Sequence, residues 1–239
     1  VKSSKCPPLD PSLTSVQIGA SQIPFSESAR DLGFILCAED LSLQEHVSTV
    51  CRNANYEIRK IASIRNKLSA NATKKLVSAF VLSRLDFCNS LLSGCDKYLV
   101  EQLQVVQNSA ARLISQTRRR SHITPILRDL HWLKVQERIN YKLCILCFRF
   151  FTNECPSYFS SLLKKYVCNR PGNRSDNDDR VLDLFKAKYV AIGQRSFAYS
   201  AQKIWNSLPY EIRHKATMSS FKVALKTNLF TSCSMASMT

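Results

Sequence analysis

The sequence predicts a mainly α protein: a short N-terminal β-hairpin, then a helical bundle, then a smaller helical C-terminal part. Three observations lead there. Apolar residues recur at intervals of three or four over most of residues 43–113, as one buried helix face requires. Strand-like character is confined to "VQIGASQIPF" and "ARDLGFILCA" near the N-terminus. Only 5 glycines interrupt 239 residues that are 45% hydrophobic, enough to bury a sizeable core.

The two apolar stretches read as two strands joined by a turn containing Pro24, within a first segment 1–41. Ser42 and Glu45 in "SLQE" form a capping box, so a long helix starts there. Its inward positions are Leu43, Val47, Val50, Ala54, Ile58, Ile61 and Leu68. A second helix is expected over residues 72–92, with Leu76, Phe80, Val81 and Leu85 inward and Gly94 ending it. Asp96 can cap a third, in which Leu99, Leu103, Val106, Ala110 and Leu113 repeat. Short loops join the three helices, which makes 42–120 an antiparallel bundle.

Thr124 as N-cap and Pro125 at the first helical position open a short helix to Leu130. Another helix is expected over residues 136–151, and Pro156 opens one more, so 121–167 is a helical extension. "CNRPGNRSDNDDR" is polar with Gly and Pro, which makes 168–182 a mobile linker. Phe197, Trp205 and Phe221 anchor two or three shorter helices in 183–230, and 231–239 reads as a disordered tail.

The 34 Lys and Arg against 18 Asp and Glu leave a formal charge of +16, which favours a polyanionic partner, nucleic acid before membrane. The excess is densest over 42–120, where 13 basic residues stand against 5 acidic ones. Ten cysteines form no framework. Cys144 and Cys147 make a CxxC inside an apolar helix, and Cys155, Cys168, His122 and His131 do not fall at zinc-ligand spacings. Buried free thiols are the expectation, and with them a reduced compartment, cytosol or nucleus. No signal-peptide pattern opens the chain, and "LCILCFRFF" is too short to span a membrane. The first residue is Val1, and a fragment of a longer protein is expected.

"SRLDFCNSLLSG" places Arg84, Asp86 and Asn89 among apolar residues, while the third helix carries Gln104, Asn108 and Arg112 at a spacing of four, on one face. A structural pair of Asp86 with Asn108 or Arg112 across the helix interface is expected. Removing one member of a buried pair typically costs about 3–5 kcal/mol.

"DLGFILCAEDLSLQEHV", "SRLDFCNSLLSG", "LQVVQNSAARLI", "RRRSHITPILRDLHWLKVQERI" and "FAYSAQKIWNSLPYEIR" with "FKVALKTNLF" follow one another over nearly the whole chain. In this order they resemble the C-terminal part of the reverse transcriptase of LINE-type (non-LTR) retrotransposons, the jockey-like and chicken-repeat branches above all. The resemblance implies that residues 16–40 correspond to the last strands of the polymerase palm, near the primer grip. It implies that the helices after Ser42 correspond to the thumb and the segment that follows it. The parent activity it implies is RNA-directed DNA polymerisation with two Mg²⁺ held by palm carboxylates, and the partner is RNA or an RNA–DNA hybrid.

The family's aromatic-Ala-Asp-Asp turn has no counterpart in the sequence. Glu39-Asp40 lies downstream of where that turn belongs, and Asp178-Asp179 falls in the polar linker; both read as solvated loop charges. The family's endonuclease lies N-terminal to everything seen here. The expectation is therefore no catalytic residue, no metal or cofactor in this fragment, and no polymerisation by the chain alone. Histidines 46, 122, 131 and 214 accompany no nucleophile at a known spacing, and His46 and His131 read as packed or capping groups. One departure stands out: the family usually has Pro where this sequence has Lys134, which removes a preset φ at a helix start.

Binding remains. A thumb holds a duplex through its phosphates and so needs aimed cations more than base-reading groups. The candidates are Arg52, Arg59, Lys60, Arg65 and Lys67 on the first helix and Arg118, Arg119 and Arg120 after the third. The competing expectation is an inert or repurposed helical module with protein partners and an inherited charge, and a steep fall of affinity with salt separates the two.

Overall fold

The computed structural model describes residues 15–37, 43–118, 120–166, 178–184 and 193–235. It is mainly helical, with a β region at its N-terminal end. Among the described residues that region holds four strands rather than the two expected. β1 (Ser15–Ile18) pairs antiparallel with β2 (Ser21–Pro24), and β3 (Ser28–Asp31) with β4 (Phe34–Cys37). Each apolar run folds back on itself because its own centre is left-handed: φ is +60° at Gly19, and +47° and +90° at Leu32 and Gly33. Two adjacent left-handed residues suit the tight two-residue turn that matches strand twist. Pro24 therefore ends β2, opposite Ser15, and is not the turn between two strands.

α1 (Gln44–Ile64) buries Val47, Ala54 and Ile61 on one face. Leu43 holds the N-cap position of α1 without a side-chain cap bond, in place of the expected Ser42, which lies outside the described residues. The second hairpin docks on α1 through Phe34, whose ring centroid is 4.0 Å from that of His46. His46 is 3% exposed. Its Nδ1 accepts the Ile35 N–H at 3.4 Å, and burial lowers its pKa.

α2 (Ala70–Val77) is capped by Ser69, whose Oγ accepts the Ala72 N–H. A π-helical turn, Ser78–Leu82, follows, and then α3 (Ser83–Asp86). The single helix expected to residue 92 is broken: Phe87 is extended, Cys88 is left-handed at φ +50°, and Asn89–Leu92 is one 3-10 turn. The π-turn adds a residue to one helical repeat and rotates the apolar stripe. Val77, Val81, Leu82 and Leu85 go inside as a result, and Phe80, expected inward, is 47% exposed. Gly94 then turns the chain at φ +75°, and a Cβ there would stand 2.9 Å from the Gln194 carbonyl oxygen.

α4 (Lys97–Ser115) completes the bundle against α1 and α2. In α5 (Ile123–Asp129) the N-cap position falls to His122, not Thr124, and its side chain makes no capping bond. Pro125 sits third in that helix, still within the first turn, where a missing N–H leaves no bond unmade. His131, expected to be packed or capping, is exposed and left-handed at φ +56°.

α6 (Val135–Phe151) belongs to two cores. Val135, Ile139 and Leu143 pack with the bundle; Cys144, Cys147, Phe148 and Phe151 pack with the C-terminal helices. Those are α7 (Phe159–Leu162), α8 (Phe197–Asn206), α9 (Tyr210–Arg213) and α10 (Met218–Met235). Phe148 stacks on Phe221 at 4.3 Å and Phe151 on Trp205 at 5.2 Å. Cys144 and Cys147 are fully buried, as expected of packing thiols, and burial pushes Cys144 up to about 12. α10 runs helical to Met235, into the stretch expected to be a disordered tail.

The polar stretch read as a mobile linker is pinned at its C-terminal end. The Asn206 side-chain amide accepts the Leu182 N–H at 3.0 Å and donates to its carbonyl at 2.8 Å. Asp178 is no solvated loop charge: it meets the Arg213 guanidinium at 2.6 Å, and Arg213 is 8% exposed. A cation so buried requires a counter-charge. Residues 168–177 of that stretch lie outside the described residues, as do Glu39 and Asp40. Among the described residues, no helix is long and apolar enough to cross a membrane.

Candidate nucleic-acid interface

Residues three, four and seven apart share one face of a helix. Arg52, Tyr56, Arg59 and Ser63 thus form a row along α1, opposite the buried Val47, Ala54 and Ile61. Arg52 and Arg59 are exposed and have no acidic partner among the described residues. Lys60 flanks the row, with Nζ 5.1 Å from the Tyr56 ring centroid and 3.5 Å from Glu57. Tyr56 is 55% exposed. The cations were legible in the sequence and Tyr56 was missed, although its spacing of four and three from two arginines was the available signal. Cations that hold phosphates beside an aromatic face that stacks bases make a sequence-tolerant surface for nucleic acid.

Arg65 does not belong to this surface, contrary to expectation. It is 8% exposed, and its guanidinium donates to the carbonyls of Leu113 at 3.0 Å, Ile114 at 3.0 Å and Leu68 at 2.8 Å. The last carbonyls of α4 have no partner within their own helix, and a cation at that end also answers the helix dipole. The C-terminal ends of α1 and α4 therefore lie together. Lys67, Arg118 and Arg120 are exposed just beyond those ends; Arg119 lies outside the described residues.

A cleft of about 340 Å³ opens between the second hairpin, α1 and α3. Arg30 of β3 and Arg84 of α3 contribute to its walls, with Thr49 and Asn53 of α1 between them. Arg84 is held by Glu57, Nη2 to Oε1 at 3.4 Å, and by its own Nε donating to the Phe80 carbonyl. Phe87 closes one side, 3.4 Å from where a Gly33 Cβ would stand. A side chain in place of Gly33 would press on that ring.

Asp86 does not reach Asn108 or Arg112 as expected; its partner is Arg138 on α6. The break after α3 turns Asp86 toward α6. Asn108 instead accepts from Gln104 at 2.8 Å, and Arg112 donates to the Ser121 carbonyl at 3.2 Å. Gln104 also accepts the Val135 N–H at 2.8 Å, which satisfies the first amide of α6. Gln107, absent from the expected row, is fully buried and donates to the Leu133 carbonyl at 2.8 Å. Gln104 and Gln107 thus hold the start of α6 on α4, while Arg112 holds the segment before α5.

Asp178, Asp179 and His214 bring three ligand-type atoms within 4.8 Å of one another. Asp178 is already balanced by Arg213, so the group is poorly suited to a divalent cation. No protein-family model, no curated protein and no solved structure matches the chain.

Proposed function

We propose that this chain is the palm-end, thumb and following region of a non-LTR retrotransposon reverse transcriptase, and that it holds RNA or an RNA–DNA hybrid by its backbone without reading sequence. The observation that carries the reading is the Arg52, Tyr56, Arg59 row on the exposed face of α1, beside a cleft walled by Arg30 and Arg84. Two cations without acidic partners and an exposed ring on one helix face suit a phosphate backbone better than a protein partner. The hairpin-against-helix arrangement agrees with a primer grip meeting a thumb, which the quoted motifs imply in that order.

The activity assigned to this chain is binding alone. The parent's two Mg²⁺ need paired carboxylates free to coordinate, and among the described residues Asp178 is committed to Arg213. A reduced compartment, cytoplasm or nucleus, fits the buried thiols Cys144 and Cys147. Binding of the purified chain to hybrids of unrelated sequence tests the proposal. Equal affinities across sequences support it, and failure to bind any hybrid at low salt rejects it.

One observation favours a second reading, a protein-interaction module. Val16, Ile18 and Ile23 of the first hairpin, and Phe25 just after it, are each more than two-fifths exposed. Apolar residues gathered on and beside one small hairpin are a common feature of protein-binding surfaces.

A further inference from the structure

A second cleft, of about 310 Å³, lies between the 3-10 turn after α3, α6 and α10. Its size falls at the lower end of the range for small-molecule sites, about 300–1,000 Å³. None of its lining residues comes from α1. Asn89 lines it, is 4% exposed, and its Oδ1 has no hydrogen-bond partner among the described residues. The amide nitrogen faces Asp86 Oδ1 at 3.5 Å, which fixes the amide so that its oxygen is the atom left over. A buried oxygen without a donor is costly unless something supplies one.

The charge of the cleft identifies what else such a ligand carries. Arg138 is neutralised by Asp86. Lys142 of α6 and Lys226 of α10 line the same cleft, both exposed and without an acidic partner among the described residues. Two lysines from different helices on one opening suit a phosphate. Tyr141, one residue before Lys142, adds an aromatic wall of the kind bases stack on.

The geometry points to a binding site for a nucleoside monophosphate, its phosphate on Lys142 and Lys226 and an exocyclic amino group of its base donating to Asn89 Oδ1. The site is separate from the α1 row, so either can fail without the other.

Isothermal titration calorimetry of the full chain with AMP tests it. Saturable binding is expected. Purine riboside monophosphate, which lacks the amino group, should bind at least tenfold more weakly, and inorganic phosphate more weakly still. Lys142→Glu combined with Lys226→Glu, both at exposed positions, should weaken AMP at least tenfold, while Lys97→Glu on α4 should leave it unchanged. Absence of AMP binding, equal affinity for AMP and either probe, or an unaltered affinity in the double variant would overturn the assignment.

Discussion

Arg138 grips Asp86 with two guanidinium nitrogens, Nε to Oδ1 at 2.7 Å and Nη2 to Oδ2, and so ties α3 to α6 across 52 residues of sequence. The pair is partly open to solvent, with the Asp86 side chain 40% and the Arg138 side chain 19% exposed, so its loss costs less than that of a fully buried pair. Asp86→Asn is expected to destabilise the fold by about 1–2 kcal/mol in urea unfolding. Arg138→Gln should add little on top of it. Additive losses in the double variant would mean that the two residues act independently.

Arg65 is expected to behave as a stability residue only. Arg65→Met leaves the end carbonyls of α4 without their donor and should cost about 2–3 kcal/mol. Hybrid affinity of the folded variant should stay within twofold of the parent. A large loss of affinity at unchanged stability would return Arg65 to the binding surface.

Burial of His46 gives the fold a pH dependence of definite sign. Its pKa is lowered from 6.5 in the folded chain, so the unfolded chain takes up the proton first. The stability this contributes is fully present above pH 6.5 and is lost as the pH falls below that value. Urea midpoints at pH 7.5 and 5.5 should differ more for the parent than for His46→Asn. Equal shifts in both proteins would contradict it.

Lys134 occupies a backbone conformation that proline adopts unstrained, φ −61° and ψ 162°, at the N-cap of α6. Its amide donates no hydrogen bond among the described residues. Lys134→Pro should therefore stabilise by about 0.4–1 kcal/mol, by narrowing the unfolded ensemble. A lower urea midpoint would show that the ring strains Leu133.

Helical content, the inward residues of α1 and α4, and the aromatic anchors Trp205 and Phe221 were legible because each follows from local periodicity. The partner of Asp86 was not. It depends on the π-turn at Ser78–Leu82 and the left-handed Cys88, and neither has a signature in a single sequence. Arg65 misled for a related reason. Its spacing marks a helix end, but only the meeting of α1 with α4 decides whether that end faces solvent or a neighbouring carbonyl. The two hairpins were readable in principle, since Gly19 and Gly33 each sit at the centre of an apolar run, where a turn residue outweighs β-propensity.

Nucleic-acid binding by the α1 row is measured most directly by fluorescence anisotropy of a scrambled RNA–DNA hybrid across a salt series. For the parent, the logarithm of affinity should fall steeply against the logarithm of salt concentration, by about 0.9 for each phosphate neutralised. For Arg52→Glu with Arg59→Glu, the slope should be shallower by about 2. A parent that fails to bind at low salt, or a double variant with the parent's slope and affinity, would contradict the assignment of this face to nucleic acid.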